Sequence, residues 1–207
     1  MDKTTLFVIT ISRQLGSGGA YLGQKLAKNL NIFYADREII SQTAKHLSIL
    51  EGDLESRDEK TSSFWESFFQ SYTFTSDMFV LPRILPPTDR ELFIAETNVI
   101  ERIVKERSAV IIGRCSSHIL HDHPNHVSIF LHAKKTFRNE RIQKLYNVSE
   151  EVAAKMIAQS DKERALYYHT FTGKEWMDVR LYDISLDTSK IGLDKTEAII
   201  MKYLECI

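Results

Sequence analysis

Between the apolar run LFVITI, residues 6–11, and the helical pattern AYLGQKLAKNL, residues 20–30, the chain reads SRQLGSGG and sets Gly16, Gly18 and Gly19 within four positions. Glycine loses more conformational freedom on folding than any other residue, so such a cluster implies that something must approach the backbone closely. The run before it has the length and β-branching of a buried strand. The residues after it place Leu22, Leu26, Ala27 and Leu30 at helical spacing. A strand that enters a helix through a glycine loop aims several N–H groups at one spot, where the helix dipole favours an anion. Phosphate is the expected guest. A helix-packing turn without a ligand is the alternative, but it leaves Gly16, Gly18, Gly19 and Gly23 together unexplained.

Two regular phosphate motifs fit only in part. As G-x-G-x-x-G starting at Gly16, the sixth position is Tyr21. As G-x-x-x-x-G-K-[ST], the register that keeps Gly18 puts Arg13 at the first glycine, Gly19 at the lysine and Ala20 at the hydroxyl. The loop therefore has an anion-binding backbone without the usual lysine.

The 207 residues, 43% of them hydrophobic, suit one fairly large domain with a sizeable core. A formal net charge of -1 gives no general attraction to a nucleic-acid backbone, so any anion site must be local. Cys115 and Cys206 form neither a disulfide framework nor a zinc spacing, and a reducing cytoplasm is the expected setting. No apolar run reaches the length of a membrane span.

Further along, Ile32–Tyr34 ends at Asp36, which reads as the N-cap of a helix over about 37–47. Glu51–Lys60 reads as a solvated loop or helix end. Phe64, Trp65, Phe68, Phe69 and Tyr72 make an aromatic helical face suited to a core or to a contact between copies of the chain, and LPRILPPTDR, residues 81–90, marks a hinge or ordered loop. A helix over about 91–107 follows. AVII at 109–112, VSIFL at 127–131 and YDISL at 182–186 are further strands, and helices are expected over 135–146, 150–168 and 194–205. Strands separated by helices imply an α/β fold whose parallel sheet is covered on both faces. Ligands bind such sheets beyond the carboxyl ends of the strands, where the glycine loop and Gly113-Arg114 both stand.

ISRQLGSGG, then FYADREII, then VIIGRCSSHIL resemble the cytidylate-kinase-like family, a branch of the P-loop nucleoside monophosphate kinases. The resemblance implies a P-loop NTPase-type sheet with an inserted helical acceptor-side segment, about 37–108, and lid-like helices, about 134–178. It also implies ATP or another NTP as donor, Mg²⁺, and transfer of a phosphoryl group to a nucleotide-like acceptor. Arg90 in DRELF, Arg114 after Gly113, and Asp161 with Arg164 in SDKERAL match acceptor or lid elements of the family, and Arg138 and Arg141 resemble its spaced lid arginines. In the family's D-G-R-D pattern, however, this chain has Ile112 and Cys115 at the acids.

On these grounds the donor is expected along Ser12, Gly16, Ser17, Gly18, Gly19 and Ala20, with Arg13, Arg138 and Arg141 neutralising charge on the transferring group. Asp36, Arg90, Arg114, Asp161 and Arg164 are the acceptor candidates. Plainer readings stand beside them. Arg13 suits an exposed or paired arginine, Arg138 and Arg141 an ordinary solvated face, Arg114 a salt bridge, Asp161 and Arg164 a helical ion pair, and Asp36 simply the helix cap. His118, His121, His123 and His126 straddle a helix end and a proline turn, an arrangement that disfavours zinc, and Cys115 reads as a small buried residue. Three functions follow from these residues: a phosphotransferase, preferred; a nucleotide-binding regulator that has lost the loop lysine; and a dinucleotide-binding enzyme, disfavoured by Tyr21.

Overall fold

The computed structural model describes residues 5–52 and 90–207. The aromatic face at 64–72, the proline-rich stretch up to residue 89 and most of the charged run at 51–60 lie outside the described residues. Within them the chain runs β1 (Val8–Arg13), α1 (Gly19–Leu30), β2 (Phe33–Ala35), α2 (Arg37–Gly52), α3 (Arg90–Glu106), β3 (Ala109–Ile112), α4 (Ser116–Ile119), β4 (His126–His132), α5 (Lys135–Tyr146), α6 (Glu150–Thr172), β5 (Ile184–Asp187), α7 (Thr188–Ile191) and α8 (Leu193–Cys206).

The strands form one five-stranded sheet, ordered β2-β3-β1-β4-β5, with every pairing parallel. The glycine-loop strand is therefore central, flanked by β3 and β4. Val8, Ile9, Thr10 and Ile11 alternate between the two faces yet are all fully buried, so both faces of the sheet are covered. On one face Phe7, Ile9, Ile11, Val110, Ile112, Val127, Ile129 and Leu131 pack with Leu22, Leu26 and Ala27 of α1 and Ile200 and Leu204 of α8. Gly23 lets α1 lie close to the sheet, because a Cβ there would stand 2.5 Å from Ile112 Cδ1.

β1 lies two residues later than LFVITI suggested. Leu6 is exposed, and the strand continues through Ser12 and Arg13, whose register partners are Phe130 and Leu131. These polar residues stand at the carboxyl end of the strand, where it leads into the glycine loop. β5 likewise starts at Ile184, since Asp183 is used to bind the amide and hydroxyl of Ser128 through Oδ2 at 2.7 and 2.8 Å. Helix α5 has the expected bounds and stops at left-handed Asn147, while α6 starts behind the Ser149 cap and runs to a left-handed Gly173. Between these two helices Ile142, Ala153 and Ile157 make a small core of their own, against which Leu15 of the glycine loop packs.

The chain divides into two compact units, residues 1–37 with 100–207, and residues 38–99. In the second, Ser41 Oγ donates to Glu96 Oε1 at 2.7 Å, and Glu96 is buried.

Candidate functional site

The glycine loop is set from several distant parts of the chain. Gln14 N–H bonds the Leu131 carbonyl of β4 at 3.0 Å, and the Ser17 amide and hydroxyl close a turn on the Gln14 carbonyl at 3.3 and 2.9 Å. The Ser17 carbonyl accepts from Thr188 Oγ1 at 2.9 Å, and both residues are fully buried. Gly16 and Gly18 take left-handed φ values of 83° and 88°, which favour glycine, and Gly18 is the N-cap of α1. At Gly16 a Cβ would also meet the Arg138 carbonyl at 2.9 Å, so the start of α5 lies directly against the loop. The N–H groups of Gly19, Ala20 and Tyr21 fall in the first turn of α1, where they have no helical acceptor, and no acidic side chain stands in that turn. A first turn of this kind can receive an anion.

Arg13 runs beside it. Its stem crosses the place where a side chain of residue 19 would be: a Cβ on Gly19 would stand 2.8 Å from Arg13 Cβ and 2.5 Å from Cγ. Its guanidinium ends over Gly113, whose Cβ would collide with Nη1. Burial lowers the Arg13 pKa, Arg37 and Arg114 push the same way, and Tyr34 and Asp36 oppose them. Arg164 is pushed down to about 9, first by burial and then by Arg13 and Arg37, with Asp161 opposing. Four guanidinium groups, Arg13, Arg37, Arg114 and Arg164, thus share one electrostatic neighbourhood with Asp36 and Asp161. Such a concentration of arginines can receive a polyanion.

After β3 the backbone makes an unusual exit. Gly113, Arg114 and Cys115 have successive φ values of 74°, 55° and 53°, and only the first is a glycine. Two non-glycine residues in this region store strain of about 1–2 kcal/mol each. The turn keeps Arg114 buried, with its Cζ 5.1 Å from the centre of the Tyr167 ring of α6. Cys115 is buried as well.

Asp161 of α6 is the anchor between the helical pair and the loop. Its Oδ1 accepts the Leu15 amide at 3.0 Å, and its Oδ2 accepts Arg138 Nη1 at 2.5 Å. Arg138 Nη1 also donates to the Leu15 carbonyl at 3.3 Å, and Arg164 completes the group with an ion pair to Asp161 at 3.7 Å. Arg138 is buried rather than solvated, and its Nε lacks a hydrogen-bond partner. Arg141, one turn on, lies over the Tyr21 ring at 5.9 Å, with Lys25 at 5.8 Å from the same ring. The two α5 arginines therefore serve different neighbours.

The remaining sequence candidates fall as follows. Ser12 is buried, and its hydroxyl faces Tyr182. Asp36 lies beside Tyr34 and Arg13. Arg90 opens α3, in the second compact unit. Ala20 offers no oxygen ligand, and among the described residues no group of three or more His, Cys, Asp or Glu is arranged to hold a metal. His126 Nε2 pairs with Thr10 Oγ1 at 2.8 Å, while the His118 and His121 rings stack at 5.5 Å. Sequence reasoning missed Thr188, Arg37 and Tyr167. Arg37 stands in ADREII beside Asp36, and Thr188 follows the strand-ending Asp187 that caps α7, so both had a local signal. Tyr167 had none.

A five-stranded parallel sheet with helices around it, and a glycine loop leading from the central strand into the first helix, is the fold of the P-loop kinases. Residues 8–190 match the cytidylate kinase-like family, and the chain belongs to that family. A cytidylate kinase of Pyrococcus horikoshii is 28% identical over 206 residues, covering 99% of this chain and 91% of the relative. The crystal structure of an uncharacterized protein from Eubacterium ventriosum superposes with a TM-score of 0.72 at 26% identity, covering 97% of this chain and 99% of the other. Shikimate kinase from Bacteroides thetaiotaomicron, at 13% identity and TM-score 0.51 over 96% of this chain and 98% of its own, shares the fold alone. Among the described residues no helix is long and apolar enough to cross a membrane.

Proposed function

We propose that the chain is a nucleotide kinase-like phosphotransferase, moving the γ-phosphoryl of ATP or another NTP to a nucleoside monophosphate or a similar small acceptor. The observation that carries this reading is the loop: two left-handed glycines and the unpaired first turn of α1 form a phosphate cradle beside four arginines. Family membership agrees with it. The donor's phosphates lie along Gly16 to Ala20, positioned by backbone amides and by the charge of Arg13. Arg114 holds the acceptor, with Asp36 nearby, and α5 and α6, within a lid over about 134–178, exclude water when they close. Arg138 and Asp161 set the loop's outer strand rather than contact the reacting group.

In the transfer, an acceptor oxygen forms a bond to the γ-phosphorus as the bond from that phosphorus to the β,γ-bridging oxygen breaks, leaving the nucleoside diphosphate. A phosphate oxygen needs no general base to attack, so the protein's contribution is position and charge. Mg²⁺ would shield the donor's phosphates. The loop itself fits that ion poorly, because Ala20 stands where its hydroxyl ligand belongs, and no step is assigned to it.

The losses at positions 19 and 20 favour one other reading, a regulator that binds nucleotide without turning it over. Thermal unfolding with and without ATP, followed by phosphoryl-transfer assays against a panel of nucleoside monophosphates, separates the two. Both predict stabilisation by ATP, and only the first predicts turnover. Gly18→Asp puts a carboxylate into the cradle and is expected to abolish the stabilisation while the nucleotide-free protein stays folded. Undiminished stabilisation in that variant would remove the loop from the site.

A further inference from the structure

We infer that Arg13, Gly19 and Gly113 form one device: Arg13 delivers to the donor's phosphates the positive charge that a loop lysine brings elsewhere, and the two glycines exist to let its side chain through. The inference rests on the kinase reading and deepens it. Gly19 occupies the lysine position of the loop, and its conformation needs no glycine, since positive φ values occur at Gly16 and Gly18 but not here. What excludes a side chain is Arg13. A Cβ at 19 would stand 2.8 Å from Arg13 Cβ, an atom that moves only with the backbone, and 2.5 Å from Cγ, which moves only by a change of χ1 rotamer. Further out, Arg13 Cζ would lie 3.4 Å from a Cβ on Gly113, with Nη1 closer still. A lysine at 19 and an arginine at 13 are thus mutually exclusive solutions to one problem, and the space that the lysine stem would occupy holds the arginine stem.

The path ends where the chemistry needs it. β1 and β3 are neighbours in register, and Gly113 N–H bonds the Ile11 carbonyl at 3.1 Å, so the guanidinium sits across the carboxyl ends of the two central strands, beside the first turn of α1. Arg37, Arg114 and Arg164 lie near it, with Asp36 as the neighbouring carboxylate, and among the described residues no ion pair explains why this half-buried arginine is held there. A bound polyphosphate does explain it. The fork of a guanidinium spans two phosphate oxygens, which a lysine contacts as a point charge.

The test is a charge transplant. Full-length wild type, Arg13→Gln, Gly19→Lys and the double variant Arg13→Gly/Gly19→Lys, with Arg13→Gly as its parent, are titrated calorimetrically with a non-hydrolysable ATP analogue, and each is melted without nucleotide. Arg13→Gln keeps the stem over Gly19 and removes the charge. It should weaken binding about 10- to 100-fold, while the nucleotide-free melting temperature stays level or rises because like charges have been relieved. Gly19→Lys alone should bind worse than wild type, since its stem meets Arg13. With the whole Arg13 side chain removed, Cβ included, the same lysine should recover about tenfold or more of the affinity lost in Arg13→Gly. Unchanged affinity in Arg13→Gln overturns the inference, as does a folded double variant that binds no better than Arg13→Gly. If neither Arg13→Gly protein folds, Arg13→Gln decides alone: weaker binding without a lower melting temperature supports the device, and a lower melting temperature with retained binding makes Arg13 structural. Wild type that does not bind the analogue would instead defeat the kinase reading itself.

Discussion

Asp161→Asn should destabilise the protein by about 2–3 kcal/mol. The carboxylate accepts hydrogen bonds from the Leu15 amide at 3.0 Å and from Arg138 at 2.5 Å, and makes a longer ion pair with Arg164 at 3.7 Å. Asparagine keeps the shape and can still accept from Leu15, so the loss is one of charge. Stranding a buried cation by removing its partner costs about 3–5 kcal/mol. Here the Asp161 side chain is 20% exposed and that of Arg164 25%, so water screens part of the loss and the lower figure follows. Arg138, at 9% exposure, carries most of it. Urea unfolding of wild type, Asp161→Asn, Arg138→Met and the double variant gives the coupling directly. Because replacing both members of a buried pair is often nearly neutral, the double variant should lose at least about 1 kcal/mol less than the sum of the two single losses. A single loss under about 1 kcal/mol, or strict additivity, would refute the view that this pair holds the loop.

Two further outcomes are expected. Arg114→Lys should raise the acceptor's apparent KM and leave donor affinity nearly unchanged, because a lysine cannot grip a phosphate with two parallel bonds; steady-state kinetics with both substrates varied checks this, and lost donor binding would move Arg114 to the donor side. His126 is pushed down to about 4 from its ordinary 6.5, mainly by burial. The unfolded chain therefore takes up a proton near 6.5 and the folded one only near 4, so His126 contributes stability in full above about 6.5 that is lost as pH falls toward 4, about 3 kcal/mol across the window. Urea midpoints measured from pH 7.5 to 4.5 should slope downward in wild type and flatten in His126→Gln, and equal slopes would reject the assignment.

The fold was largely legible because its signals are local. Apolar runs gave β1, β3 and β4 to within two residues, and the Asn147-Val148-Ser149 break separated α5 from α6. The end of α6 was misjudged by four residues, although Gly173, its left-handed cap, was there to be read. The site was legible only as a roster. Spacing showed that Arg138 and Arg141 share a helix face, but not that Gly16 would draw the first against the loop while the second reached Tyr21. Asp161 and Arg164 could be paired by their spacing of three, whereas the Leu15 amide, the partner that gives Asp161 its place, is 146 residues away. The Arg13 path depends on a backbone approach between Gly19 and Gly113 that no periodicity encodes.

The separations that fix the glycine loop also bear on when it forms. Leu15 waits for Asp161, and the Ser17 carbonyl waits for Thr188, 171 residues later. Chain closure over such distances is settled after local helices and neighbouring strand pairs, since its entropy must be lost before the contact is gained. During synthesis β1 leaves the ribosome early, yet its loop stays unset until β4, α6 and the turn after β5 have emerged. A nascent chain of this protein therefore pairs the first strands of its sheet before its glycine loop is set, and a ligand of that loop can act on folding only once the polypeptide is nearly complete.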